Sequence, residues 1–204
     1  KVDHTLTLLI VFTVALGMVL GHFVLPDALA VHCGQIIQLG LYLLLFLVGL
    51  DLGRQEGMLS SVRQAGLRVV LVPLAVMVGT FTVTALAGLL LPLGPKDCVA
   101  AAAGFGWYSL APTLLAPYSL TVSATAFLSN VLHELFAIVL APIVAQRFGY
   151  IETVALPGAA AMDTVLPVVV SATDQRMAIY SFTSGVILSL SVPLFIPAII
   201  ALPF

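Results

Sequence analysis

The sequence predicts an all-α membrane protein with about five transmembrane helices and two re-entrant or broken-helix segments between them. Three observations predict it. Hydrophobic residues make up 61% of the chain and charged residues 8%, with a mean hydropathy of +1.20, whereas a soluble domain carries about 25% charged residues. Apolar runs of about 20 residues, enough to cross a bilayer, recur along the chain. Two further apolar stretches are cut by Gly and Pro into pieces too short to span. At about 20 residues per span, 204 residues leave no room for a second, soluble domain. Residues 1–204 therefore read as a single transmembrane domain. A net charge of −2 without a basic stripe excludes nucleic acid as a partner.

Residues 6–25 form the first predicted span, closed by Pro26, with Gly17 and Gly21 at the small-residue spacing that lets helices approach closely. No cleavable signal peptide is expected, because this run reads as a full span. The second span covers residues 35–52, where Gln35, Gln38 and Tyr42 give one polar side. Asp51 and Arg54 at its end read as an interfacial acid and base rather than transport residues. Residues 53–68 are the most polar stretch and hold Arg54, Arg63 and Arg68. A third span is expected over 69–93, with Pro73 near its start, followed by a short turn at Gly94-Pro95-Lys96-Asp97.

From residue 98 to 117 the pattern changes: Gly104, Gly106, Pro112 and Pro117 interrupt an apolar run. Such segments are tolerated in a membrane only where protein or water covers the freed backbone. A span over 124–144 follows, then a second interrupted segment over 151–170 with Pro157 and Pro167. The last span, 177–202, carries no charge. If both interrupted segments enter and leave on one side, Lys1, Arg54, Arg63, Arg68, Arg147 and Arg176 share a face and only Lys96 lies opposite. The positive-inside rule makes that face cytoplasmic. The first interrupted segment then dips in from outside and the second from the cytoplasm, an inverted-repeat-like arrangement recurrent in transporter cores.

Two carboxylates fall deep in this frame. Glu134 lies inside the span 124–144, and Asp163 follows the helix-breaking stretch Leu156-Pro157-Gly158-Ala-Ala-Ala-Met162 and precedes Thr164. A charge near the bilayer centre costs several kcal/mol, so acids at that depth usually serve ions or substrate. Asn130 and Glu134, four apart, share a helix face, with Thr125, Ser129 and His133 as a neighbouring polar stripe. A carboxylate there can take a proton or a cationic solute in alternation. The backbone N–H groups freed near Asp163 and Thr164 suit an α-carboxylate while the acids suit ammonium groups. His133 is expected to make an interhelical hydrogen bond rather than relay protons. Trp107 and Tyr108 either stack on a substrate's alkyl chain or form an interfacial belt. Cys33 and Cys98 lack metal-ligand spacing and read as small buried thiols, the alternative being a pair if both lie near the outer face, and no metal or organic cofactor is implied.

The strings LLLFLVGLDL (43–52), GFGWYSL (104–110), HELFAI (133–138) and GAAAMDTVLPV (158–168) are similar to the lysine exporter family of LysO type. The resemblance covers nearly the whole chain and corresponds to the C-terminal membrane portion of a full-length member. It implies export of L-lysine and its analogue thialysine across the bacterial inner membrane in exchange for protons. It places the family's two critical acids on Glu134 and Asp163 and the C-terminus outside. His133 departs from the arginine that precedes the glutamate in members of the family. A small membrane subunit supplying further helices, or a homo-oligomer, is implied as partner. Other readings are a carrier or channel for another small cationic solute or amino acid, and a subunit active only with a partner. Enzymatic function is not expected. An intramembrane aspartyl protease needs paired aspartates, one in a G-x-G-D setting, where this chain has Gly158-Ala-Ala-Ala-Met-Asp163 and a glutamate.

Overall fold

The computed structural model describes residues 67–203 and, ahead of them, the single helical positions Phe12, Leu16, Val19, Leu39, Leu43 and Phe46. Apart from those positions, the spans expected over 6–25 and 35–52 lie outside the described residues. So do Gly17, Gly21, Cys33, Gln35, Gln38, Tyr42, Asp51, Arg54 and Arg63. The chain divides into two compact units, Lys1–Leu44 and Leu45–Phe204. The second holds α1 (Leu67–Gly88), α2 (Gly94–Ala102), α3 (Leu110–Leu115), α4 (Leu120–Arg147) and α5 (Tyr150–Ala155). A 3-10 segment (Gly158–Met162), α6 (Leu166–Ala172) and α7 (Met177–Ala201) complete it. Among the described residues there is no strand.

Three of these helices are long and apolar enough to cross a membrane: Val69–Gly88, Leu120–Arg147 and Met177–Ala201. The 28 residues of α4 reach about 42 Å at 1.5 Å per residue, more than the hydrocarbon core of about 30 Å. Its start is fixed by Ser119, whose extended backbone (φ −160°) lets the hydroxyl accept from Val122 N–H at 3.4 Å. Its end is fixed by Gly149 at φ 137°, where the N–H groups of Phe148 and Gly149 both donate to the Val144 carbonyl. Pro73, Pro142, Pro193 and Pro197 sit inside α1, α4 and α7 without ending them. With no water competing for the backbone, helix remains the favoured state around each proline.

The third span is shorter than its apolar run suggests. α1 stops at Gly88, residues 89–93 turn, and Gly94-Pro95-Lys96-Asp97, expected as a turn, is the first turn of α2. Gly94 at φ 76° bends the chain, and Pro95 loses nothing by lacking an N–H at a helix start. Gly88 packs so tightly on this corner that a Cβ there would lie 2.5 Å from Pro95 Cα.

Both interrupted segments are hairpins that return to the end they came from. Lys96 Nζ, at the start of α2, donates to the Leu202 carbonyl just past α7. Tyr118 Oη, just past α3, donates to Asp97 Oδ1 at 2.9 Å. The α2–α3 hairpin thus enters and leaves beside the C-terminus of α7. α4 then crosses to the far end, where α5 starts, α6 finishes and α7 begins. The α5–α6 hairpin therefore enters from the opposite end. A long helix followed by a broken hairpin occurs twice with reversed direction, and α7 closes the set.

Each hairpin has its own core. Phe105, Leu110, Leu115 and Val122 pack with Leu188, Val192 and Ile196 of α7. Phe81 is set against Phe105 and Phe195 at centroid distances of 5.5 and 5.1 Å. Val154, Ala160, Val165 and Val169 pack with Val72 of α1. Cys98 is a free, buried thiol within α2.

Candidate functional site

The breaks in the two hairpins meet. Phe105, at the unusual φ of 48°, and Gly106 at φ 94° turn the first hairpin, and Gly158 at φ 61° turns the second. Ala159 N–H donates to the Phe105 carbonyl at 2.7 Å. No side chain fits between them: a Cβ on Gly158 would stand 2.0 Å from Phe105 O, and one on Gly106 would stand 3.1 Å from Pro157 O.

α4 braces this crossing with two side chains. Asn130 is only 2% exposed. Its Oδ1 accepts from Gly106 N–H at 2.6 Å, and its Nδ2 donates to the carbonyls of Ala101 (3.1 Å) and Ala126 (2.7 Å). One amide thus satisfies backbone groups that the first break would leave orphaned in a medium without water. His133 Nε2 lies 2.7 Å from the Leu156 carbonyl at the second break. A carbonyl only accepts, so Nε2 carries the proton.

On the next residue of α4, half-buried Glu134 accepts from the Thr164 hydroxyl at 2.6 Å through Oε1. Asp163 caps the 3-10 segment at φ −133°, ψ −92°. Its Oδ1 accepts from Thr164 N–H at 2.6 Å and lies 3.3 Å from the Thr164 hydroxyl. Two acids from sequence positions 29 apart, 134 and 163, are thus gathered on one threonine. The Thr164 N–H, the donor expected to face a substrate carboxylate, is already taken by Asp163. Asp163 and Thr164 are exposed, so the cluster is reachable.

Trp107 and Tyr108 stand apart from these bonds. Trp107 is half-buried against the Phe105–Ile196 core, and Tyr108 is 39% exposed. Thr125 donates to its own helix at Thr121 O. Two cavities of about 640 and 450 Å³ lie between α1 and α4 and share Thr80, Ser129 and His133 as lining. Among the described residues no group of His, Cys, Asp or Glu could hold a metal.

α7 supplies a contribution that reasoning from charges overlooks. Ser181 Oγ donates to Ala161 O at 2.7 Å, Ser189 Oγ reaches Met162 Sδ at 3.7 Å, and a Cβ on Gly185 would stand 2.5 Å from Met162 N. Ser181, Gly185 and Ser189 recur every four residues, a small-residue stripe that seats the 3-10 segment holding Asp163 in place. The signal was present as spacing.

Opposed broken hairpins that meet beside a reachable pair of carboxylates are an arrangement recurrent in membrane transporters. The family comparison agrees: the model described as "Lysine exporter LysO" matches residues 11–200, and the chain belongs to that family. Among curated proteins it is similar to "Lysine exporter LysO" of Escherichia coli (strain K12), 34% identical over 166 residues, which cover 81% of this chain and 55% of that protein. The chain therefore spans about half the length of this relative. No solved structure matches it.

Proposed function

We propose that the chain forms the core of a secondary active transporter that exports L-lysine, and close analogues such as thialysine, across the bacterial inner membrane in exchange for protons. The observation that carries the reading is the Glu134–Thr164–Asp163 cluster beside the crossing of two membrane-broken hairpins. Lysine carries two ammonium groups and one carboxylate, so two acids complement its net positive charge. A carboxylate at membrane depth is costly while ionised and unpaired, which favours neutralisation by a proton or by an ammonium group. Alternation between those two partners is exchange. Family membership and the name of the Escherichia coli relative support lysine as the cargo. Membership of a transporter family also points away from an enzyme.

The end bearing Arg147 and Arg176 is placed in the cytoplasm by the positive-inside rule. The cavities beside His133, of about 640 and 450 Å³, fall in the size range of small-molecule sites, and solute is proposed to pass there toward Glu134. Asn130 and His133 hold the crossing on which the acids depend. Trp107 and Tyr108, one and two residues past Gly106, are proposed to stack on the alkyl chain of the solute as it passes the first hairpin. No cofactor beyond the proton is proposed. A small membrane subunit or a second copy of the chain is the proposed protein partner.

The test is uptake of labelled lysine into proteoliposomes under an imposed pH gradient, with and without that subunit. Gradient-driven uptake lost in Glu134→Gln and in Asp163→Asn is the expected result. Uptake that survives both substitutions would remove the acids from the mechanism. Uptake driven equally well without a pH gradient would remove proton exchange.

A further inference from the structure

The Thr164 hydroxyl has one proton and two carboxylate neighbours. Glu134 Oε1, from α4, is at 2.6 Å, and Asp163 Oδ1, from the preceding residue, is at 3.3 Å. A hydroxyl donates a single hydrogen bond and accepts through its lone pairs. While both acids are ionised, only one of them receives the proton, and the shorter distance gives it to Glu134. The longer contact to Asp163 is then oxygen against oxygen with no hydrogen between. Asp163 is compensated instead by Thr164 N–H, fixed at 2.6 Å.

We propose that Thr164 is a single-proton link coupling the two acids, its hydroxyl turning from Glu134 to Asp163 when Glu134 is neutralised. A proton or an ammonium group arriving on Glu134 removes the charge that held the hydroxyl. Protonated Glu134 becomes a donor to Thr164 Oγ, and the Thr164 proton is free to turn to Asp163. The ionised form of Asp163 is thereby stabilised at the moment Glu134 is filled. No bond is made or broken beyond hydrogen bonds, and the hydroxyl keeps its proton throughout. Thr164 is a positioning residue here; it acts through the acids. The inference rests on the reading of Glu134 and Asp163 as the exchange site, and it adds an order to their occupation.

The other titratable groups on the packed elements have surroundings of their own. His133 donates to Leu156 O, and Glu152 lies in the first turn of α5, beside Gly149. Tyr180 packs against the Val72–Val169 core, and the described parts of α6 and α7 carry no charge.

Two readouts test the link in the full protein. In infrared difference spectra, the carboxyl stretch of protonated Glu134 is assigned by its loss in Glu134→Gln. Asp163→Ala is expected to shift that band, because the hydroxyl then serves Glu134 alone. In Thr164→Val, which keeps the shape and removes the hydroxyl, Asp163→Ala should shift nothing. Thr164→Ser should restore the shift. In transport, losing a hydrogen bond to an ionised group predicts a rate about tenfold lower for Thr164→Val, with Thr164→Ser near wild type. A Glu134 band that responds to Asp163→Ala as strongly in Thr164→Val as in wild type overturns the link. So does a Thr164→Ser protein that behaves like Thr164→Val, or a Thr164→Val protein that transports at the wild-type rate. If wild type moves no lysine, the proposed function fails, and the infrared comparison alone decides the link.

Discussion

Asn130 and Gly106 are joined by a 2.6 Å hydrogen bond, side-chain oxygen to backbone N–H, across 24 residues of sequence. That bond does for the first hairpin what His133 does for the second: it lets a helix stop inside a membrane without an unsatisfied peptide group. Substitution of Asn130 tests it. Asn130→Ala orphans Gly106 N–H and the Ala101 carbonyl, each worth about 1–3 kcal/mol when buried. Asn130→Asp keeps the acceptor but loses both donated bonds and buries a charge, so it should not rescue. Thermal unfolding in detergent is expected to show both variants well below wild type. An Asn130→Asp protein as stable as wild type would contradict the assignment.

His133 should be replaceable by a side chain that places a donor at the same reach. His133→Gln can donate to Leu156 O from its amide, whereas His133→Ala leaves that carbonyl without its partner. The expected order of melting temperature is wild type, then His133→Gln, then His133→Ala, with a final loss of about 1–3 kcal/mol. Equal melting of the two variants would show that the bond contributes nothing.

Glycines at the crossing and in open helix should respond in opposite ways. At Gly158, φ is 61° and a Cβ would lie 2.0 Å from Phe105 O, so Gly158→Ala should cost about 3 kcal/mol or more. At Gly79 a Cβ meets nothing within 4 Å among the described residues. Gly79→Ala should be neutral or stabilising by up to about 1 kcal/mol through helix propensity. Denaturation of the two variants side by side distinguishes a packed seam from a general intolerance of alanine.

One pH effect lies in the loop before α4. The Asp97 carboxylate accepts the Tyr118 hydroxyl at 2.9 Å and, with some burial and its own charge, raises the Tyr118 pKa above the ordinary 10.0. A raised folded-state pKa means the contact contributes below pH 10.0 and is lost as pH rises through the raised value. The side chain is exposed, so the effect on stability is small. Spectroscopic titration should show Tyr118 ionising at lower pH in Asp97→Ala than in wild type, and identical curves would exclude the contact.

Charge alone points to the two acids of the candidate site. Glu134 and Asp163 stand out because little else in their surroundings is charged, and Gly104, Gly106 and Pro157 mark where helix has to break. What joins them could not be read. Ala159 N–H meets Phe105 O over 54 positions (159 against 105), and no local pattern specifies which carbonyl a freed N–H will find. The end of α1 at Gly88 falls short of the span expected over 69–93 for a related reason. Residues 89–93 are apolar enough to continue a span, but Gly88, Pro92 and the Gly94-Pro95 corner set the backbone, and hydropathy does not record backbone. Ser181, Gly185 and Ser189 are visible as spacing, yet their partner, a 3-10 segment rather than another helix, is decided by tertiary packing.

The two broken hairpins approach from opposite ends and each rests on its own core. Among the described residues, each end of the bundle thus has one broken hairpin entering from it. In the proposed exchanger the protein sets only how solute is coupled to counter-ion, not the direction of net flow. Whether solute leaves or enters the cell is then decided outside the protein, by the concentrations of solute and counter-ion on its two sides. Reversing the gradient should run the same machine backwards.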